Sequence, residues 1–266
     1  NLVMNNEKPQ VVVLEVSSFQ LESISEFKPD IAVITNLEPN HLDRYPSGLE
    51  SYYSAKKRLL KNADKSTMLV TNFDNDRAKA LTEGFVGPCY FFTRRNPIQI
   101  DSNFAEKFQG AYMARPKMIL KMNGKESPID LMQSRLPGDH NKENLMAAGI
   151  ATLLAGGSAQ GVQKTIESFK GVAHRLEFIR RKDGVALFND SKATSVPAVV
   201  RALNSFMAPI ILIAGGRDKD QDFTPLCELI KKRVKNLILI GEAKEKINRA
   251  IGDFSETFLV GTFEEA

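Results

Sequence analysis

Apolar and polar positions follow one repeating unit along this chain, a short apolar run and then a longer stretch of helical periodicity. Residues 11–14 (Val-Val-Val-Leu), 31–35 and 67–71 are dominated by aliphatic side chains and predict strands. Between the second and third, 49–61 repeats apolar residues at helical spacing. In the second half, 185–188, 209–214, 237–240 and 257–260 predict strands, with helices predicted over 195–205, 222–235 and 243–251. Continuous apolar strands interleaved with amphipathic helices specify an α/β fold, a parallel sheet covered on both faces.

Two features modulate that rhythm. Residues 90–136 scatter Asn, Pro, Gln, Gly and Lys among short β-like pieces, the pattern of a hairpin-rich excursion from the sheet. Residues 141–154 and 161–169 then read as two helices joined by Ala155-Gly156-Gly157-Ser158. The strand–helix alternation restarts after Gly171, which predicts two domains, 1–171 and 172–266.

Charge removes whole classes of function. The 266 residues hold 36 basic and 32 acidic side chains, a net +4. A dedicated nucleic-acid binder would concentrate basic charge on one face, and the densest run here, 231–235, reads as a solvated helix face. No apolar run reaches the roughly 20 residues that span a bilayer, so no membrane insertion is expected. Cys89 and Cys227 are too few and too far apart for a metal pair or disulfide framework and point to a reducing, cytoplasmic setting. The chain opens on Asn1 rather than Met, so residues upstream are expected.

Ligands of open parallel sheets bind beyond the carboxyl ends of strands. Glu15, followed by Ser17 and Ser18, ends the first run, and NLEPNHLD (36–43), with His41, follows the second. At such positions an exposed turn acid or a hydrogen-bonded histidine is the plain alternative to a ligand-binding role. Lys56 falls inside the apolar stripe of Tyr52, Tyr53, Leu59 and Leu60, whereas Lys57 and Lys61 fall off it. A lysine there either snorkels to water or finds an anion, shifts its pKa or is modified. In the second domain, His174-Arg175, Asn189-Asp190-Ser191-Lys192 and Gly215-Gly216-Arg217-Asp218-Lys219 are cationic loops suited to an anionic substrate or polyphosphate, or else ordinary βα turns. Neither a G-x-x-x-x-G-K-[ST] phosphate loop nor a G-x-G-x-x-G dinucleotide fingerprint is present.

Taken in order, LEVSSFQLE (14–22), ITNLEPNHLDRY (34–45), YYSAKKRL (52–59), LPGDHNKEN (136–144), GVAHRLEF (171–178), NDSKAT (189–194) and LIAGGRDKDQDF (212–223) resemble the motifs of the Mur ligases, most of all the members that add D-glutamate. The resemblance covers essentially the whole chain. It implies the later part of a P-loop-type ATPase domain followed by an incomplete Rossmann-like α/β domain, with the phosphate loop upstream of Asn1 and a further segment beyond Ala266. Its implied cofactors are ATP and Mg2+, and its implied substrates UDP-N-acetylmuramoyl-L-alanine and D-glutamate, in a monomeric cytoplasmic enzyme. This chain on its own is expected to lack the activity.

Residue by residue, the resemblance implies magnesium ligation by Glu15, His41 and a carbamylated Lys56, with Lys56, His41 and Lys192 as catalytic residues. Asn141 resembles the adenine-contacting asparagine, and His174, Arg175 and Asp190 the other ATP-binding residues. Ser17, Thr194 and Lys219 resemble substrate-binding positions. Asn40 departs from the pattern, which often has Asp before this histidine. The alternatives are another ligase of the family or a folylpolyglutamate synthetase, against which NDSKAT and the Lys219 loop count, and a non-catalytic nucleotide-binding relative. A Rossmann dehydrogenase is disfavoured by the missing glycine fingerprint.

Overall fold

The structure is a computed structural model that describes residues 9–38, 44–45, 48–207, 209–218 and 220–266. Asn40, His41 and Lys219, for which the sequence implies roles, therefore lie outside the described residues. The chain divides into two compact units, one of Asn1–Gln133 with Lys142–Ser168 and one of Ser134–Asn141 with Phe169–Ala266.

The first unit runs α1 (Ser18–Glu22), β1 (Ile31–Ile34), α2 (Leu49–Lys57) with a 3-10 turn at Arg58–Leu60, β2 (Met68–Asn72), α3 (Asp76–Ala80), β3 (Cys89–Thr93), α4 (Pro97–Ile100), α5 (Ser102–Lys107), β4 (Gly110–Ala114), β5 (Lys117–Met122), β6 (Lys125–Asp130), α6 (Asp139–Leu154), which belongs to it from Lys142 on, and α7 (Ala159–Ser168). Its six strands form one sheet in the order β1-β2-β3-β4-β5-β6. The first four are parallel, and β4, β5 and β6 form an antiparallel meander. Residues 90–136 thus contain the expected hairpin but extend the sheet instead of leaving it. The two-residue loop Asn123-Gly124, at φ 50° and 75°, is the signal for that hairpin, since a tight turn of this hand needs positive φ twice.

Successive side chains of a strand point to opposite faces, and β2 shows why both are covered. Leu69 belongs to one buried cluster with Ala32, Ile34, Tyr52, Tyr53 and Ala78, whereas its neighbour Val70 belongs to another with Phe92, Met118, Met146, Ile150 and Ile166. Each such large apolar side chain contributes about 1.5–3 kcal/mol by leaving water. The strand predicted over 11–14 is not formed. Among the described residues it has no ladder partner, and Val13 stays 92% exposed.

The second unit runs β7 (Glu177–Lys182), β8 (Val185–Asn189), α8 (Val196–Asn204), β9 (Ile210–Gly215), a 3-10 turn at Thr224–Leu226, α9 (Cys227–Arg233), β10 (Val234–Ile240), α10 (Lys244–Ile251) and β11 (Thr257–Val260). Strands β11-β10-β9 form a parallel sheet, and β7-β8 a separate antiparallel pair. The expectation that 185–188 joins the parallel alternation is corrected: the Asp183-Gly184 turn, at φ 49° and 81°, folds it back on the charged strand before it. Helices α8, α9 and α10 bury Leu203, Ile230 and Ile247 against Leu237 and Leu239 on one face of the parallel sheet. The opposite face exposes Ile211 and Ile213, so both-face cover is corrected for this unit to cover of one face among the described residues.

Candidate functional site

In the first unit, α1 is fastened to the end of α2. Arg58 donates from Nε to the Leu21 carbonyl at 2.8 Å and from Nη2 to that of Ile24 at 3.2 Å. Asn62 Nδ2 adds a bond to Ser25 O at 2.7 Å. These contacts set the end of α1 against the end of α2, and the Glu15 carboxylate acts electrostatically on Lys56. Tyr52 and Tyr53 bury their rings as the helical spacing predicts, and Lys56 is half-buried with Nζ 5.7 Å from the centre of the Tyr52 ring. Burial holds the Lys56 ammonium below the ordinary lysine range, and the Glu15 carboxylate partly offsets this.

Of the three expected magnesium ligands, Glu15 lies within electrostatic reach of Lys56, and His41 lies outside the described residues. No group of three or more His, Cys, Asp and Glu side chains among the described residues could hold a metal ion. Glu15 offers hard carboxylate oxygens suited to Mg2+, but an ammonium beside it repels a cation. The set fits magnesium only with Lys56 as an anion, the form a carbamate gives. Ser17 is occupied locally: its N–H and Oγ both donate to Gln20 Oε1, at 2.9 and 2.8 Å, and it starts α1.

In the second unit, the three cationic loops come together. Lys192 N–H donates to the His174 carbonyl at 3.0 Å, and Asn189 Nδ2 lies 2.9 Å from His174 Nδ1. The Asn189 amide nitrogen can only donate, so in this pairing Nδ1 is the acceptor. Asp190 Oδ1 accepts the Leu176 N–H at 3.0 Å, and Glu177 Oε2 accepts the His174 N–H at 2.8 Å. These two carboxylates hold His174 and Leu176 at φ 65° and 44°, a conformation side chains other than glycine rarely adopt. Burial raises the Asp190 carboxyl above its usual range, against the Leu176 hydrogen bond and the nearby His140 and Arg175. Asn141 Nδ2 donates to Pro137 O at 2.6 Å at the start of α6.

The third loop joins through a residue with no mark in the sequence. Gln221 Nε2 donates to the Thr194 carbonyl at 3.2 Å, and its Oε1 accepts the Val196 N–H at 3.0 Å. Thr194 and Lys192 themselves are exposed. Lys246 of α10 bridges the same loop, lying 3.2 Å from Asp218 Oδ2 and 2.9 Å from Asp220 Oδ1. Gly215 lets it leave the sheet. At φ 142° a Cβ there would sit 1.8 Å from the Ile240 carbonyl oxygen. His140 was missed in the sequence: an internal histidine of LPGDHNKEN is lowered in pKa by burial and then by Arg201, with Asp190 opposing.

Residues 2–152 match the family described as Mur ligase middle domain, and residues 174–266 match Mur ligase, glutamate ligase domain. A UDP-N-acetylmuramoylalanine--D-glutamate ligase of Bdellovibrio bacteriovorus is 42% identical over 264 residues, which are 98% of this chain and 56% of that protein. One of Geotalea daltonii is 40% identical over 265 residues, 100% of this chain and 56% of that protein. The chain thus spans little more than half the length of these curated relatives. Among solved structures, MurF from Acinetobacter baumannii aligns with a TM-score of 0.68 at 14% identity, over 90% of this chain and 52% of that one, a likeness of fold.

Proposed function

The chain belongs to the Mur ligase family, and from that premise we propose that the protein is a cytoplasmic ATP-dependent ligase that joins D-glutamate to UDP-N-acetylmuramoyl-L-alanine for peptidoglycan synthesis. The observation that carries this reading is the tying by hydrogen bonds of the loops of His174-Arg175, Asp190-Lys192-Thr194 and Gln221 to one another, with Arg175 and Lys192 exposed on them. The likeness, along essentially the whole of this chain, to relatives named for D-glutamate supports the choice of amino acid.

A carboxylate is a poor electrophile, so the alanyl carboxylate first takes the γ-phosphoryl group of ATP, giving an acyl phosphate and ADP. The D-glutamate amine attacks the acyl carbon, the tetrahedral intermediate expels phosphate, and the amine proton passes to base or solvent. Arg175 is suited to a bidentate hold on phosphate oxygens, and Lys192 to a point charge on the incoming carboxylates. Asp190 orients the turn that carries His174 and Arg175 through the Leu176 N–H. Asn141 is the candidate contact to adenine, Thr194 and Lys219 to the amino acid, and Ser17 to the nucleotide-sugar substrate.

Glu15, His41 and a carbamylated Lys56 are the residues that would hold magnesium, which when bound screens charge on the transferring phosphoryl oxygens. Lys56 is suited to that modification because burial favours its neutral amine. The amine nitrogen bonds to the carbon of CO2 and a proton is released, leaving an anion in the place of a cation.

The test is phosphate release by the full-length protein with UDP-N-acetylmuramoyl-L-alanine, ATP and one candidate amino acid at a time. Turnover with D-glutamate and not with L-alanine or a diamino acid is expected. The reverse pattern overturns the assignment.

A further inference from the structure

We propose that Gln221 is a positioning residue that sets the affinity of this site for the incoming amino acid, an inference that rests on the ligase reading above. The argument begins at the N-terminus of α8. The first turn of a helix has N–H groups with no partner inside the helix. Ser195, the residue before α8, makes no side-chain cap, and Pro197 has no N–H to satisfy. The Val196 N–H is left, and Gln221 Oε1 takes it from a different loop, 25 residues along the chain.

The same amide uses its other end. Gln221 Nε2 donates to the Thr194 carbonyl, so one planar group fixes the backbone on both sides of Ser195. Its orientation is determined, since only one assignment of O and N satisfies a donor and an acceptor together. The segment from Asp190 to Val196 has few other anchors: Lys192 N–H to His174 O, Ala193 N–H to Asp190 O and Thr194 N–H to Lys192 O all lie before Ser195. Gln221 therefore closes the far end of the segment that presents the exposed Lys192 and Thr194. Its own loop is held in turn by Lys246 through Asp218 and Asp220.

A merely structural brace would act on stability alone. A positioning role acts on one substrate. Steady-state kinetics on the full-length protein separate the two. Gln221→Met, which keeps the length and removes both bonds, is expected to raise KM for D-glutamate about tenfold and to lower the melting temperature as the Val196 N–H loses its partner, leaving KM for ATP and kcat close to wild type. Gln221→Glu keeps the acceptor for Val196 N–H and loses the donor to Thr194, so its KM is expected between the two.

An unchanged KM for D-glutamate in Gln221→Met overturns the proposal. So does a parallel loss of kcat, both KM values and melting temperature in both variants, the mark of general damage to the fold. If Gln221→Met alone is unstable, Gln221→Glu decides, with a wild-type KM counting against the proposal. A wild type that turns over another amino acid refutes the ligase assignment separately, and the KM ratio is then read with that amino acid.

Discussion

Asp190 Oδ1 accepts the backbone N–H of Leu176 at 3.0 Å, joining the end of β8 to a residue held at φ 44° before β7. The bond supports a conformation that itself costs roughly 1–3 kcal/mol. Asp190→Ala leaves the buried N–H without a partner, and the expected loss of unfolding free energy is about 1–3 kcal/mol by urea denaturation. Asp190→Asn keeps an oxygen acceptor and is expected to lie within about 1 kcal/mol of wild type. Equal destabilisation by both would show that charge, not the hydrogen bond, supports the turn.

Gly215 and Gly216 are neighbours with different constraints. A Cβ at Gly215 would lie 1.8 Å from the Ile240 carbonyl oxygen, whereas at Gly216 nothing lies within 4 Å. Gly215→Ala must displace the β9–β10 ladder and is expected to cost about 3 kcal/mol or more. Gly216→Ala, at φ 99°, meets only the backbone penalty of about 1 kcal/mol. Thermal melts of the two variants check the order; equal losses would mean that φ alone governs this corner.

The alternation of apolar strands and helices was legible because it is a local pattern repeated along the chain, and Lys56 stood out because it interrupts one stripe. Residues 11–14 form no strand because a strand also needs a partner, which an apolar run cannot specify. The β7 strand was missed because Glu177, Arg180, Arg181 and Lys182 hide it, although Asp183-Gly184 carried a hairpin signal. The convergence of His174, Asp190 and Lys192 depends on hydrogen bonds between segments distant in sequence. Gln221 was invisible for the same reason: a glutamine in a polar loop looks like any other until its two partners are seen.

Lys56 supports two separable measurements. Its ammonium is disfavoured by burial, so between the folded and the ordinary lysine pKa the unfolded chain binds more protons and wild-type stability rises with pH. Lys56→Met removes that cost. It is expected to melt higher than wild type at neutral pH, with the gain shrinking as pH approaches about 10. A constant gain across that range would mean that packing, not desolvation, explains it. For activity, Lys56→Ala is expected to abolish ATP-dependent turnover, with partial recovery in formate or acetate if a carbamate is the working form.

His140 gives the acid side of the stability curve. Burial lowers its pKa first, followed by Arg201, while Asp190 and Asp139 pull the other way and Arg175 adds to the lowering. The unfolded histidine takes a proton near pH 6.5, before the folded one does. As pH falls through that value the unfolded state binds more protons, so stability declines. Asp190 has the opposite sign at lower pH. Its raised carboxyl protonates in the folded state first, which favours folding as pH falls through the carboxylate range. The histidine effect is therefore expected between neutrality and about pH 5, above that range. Melting temperatures of wild type and His140→Gln across this window check it: the wild-type midpoint falls more steeply, and the two curves diverge toward acid. Parallel curves would show that some other group sets the acid limb.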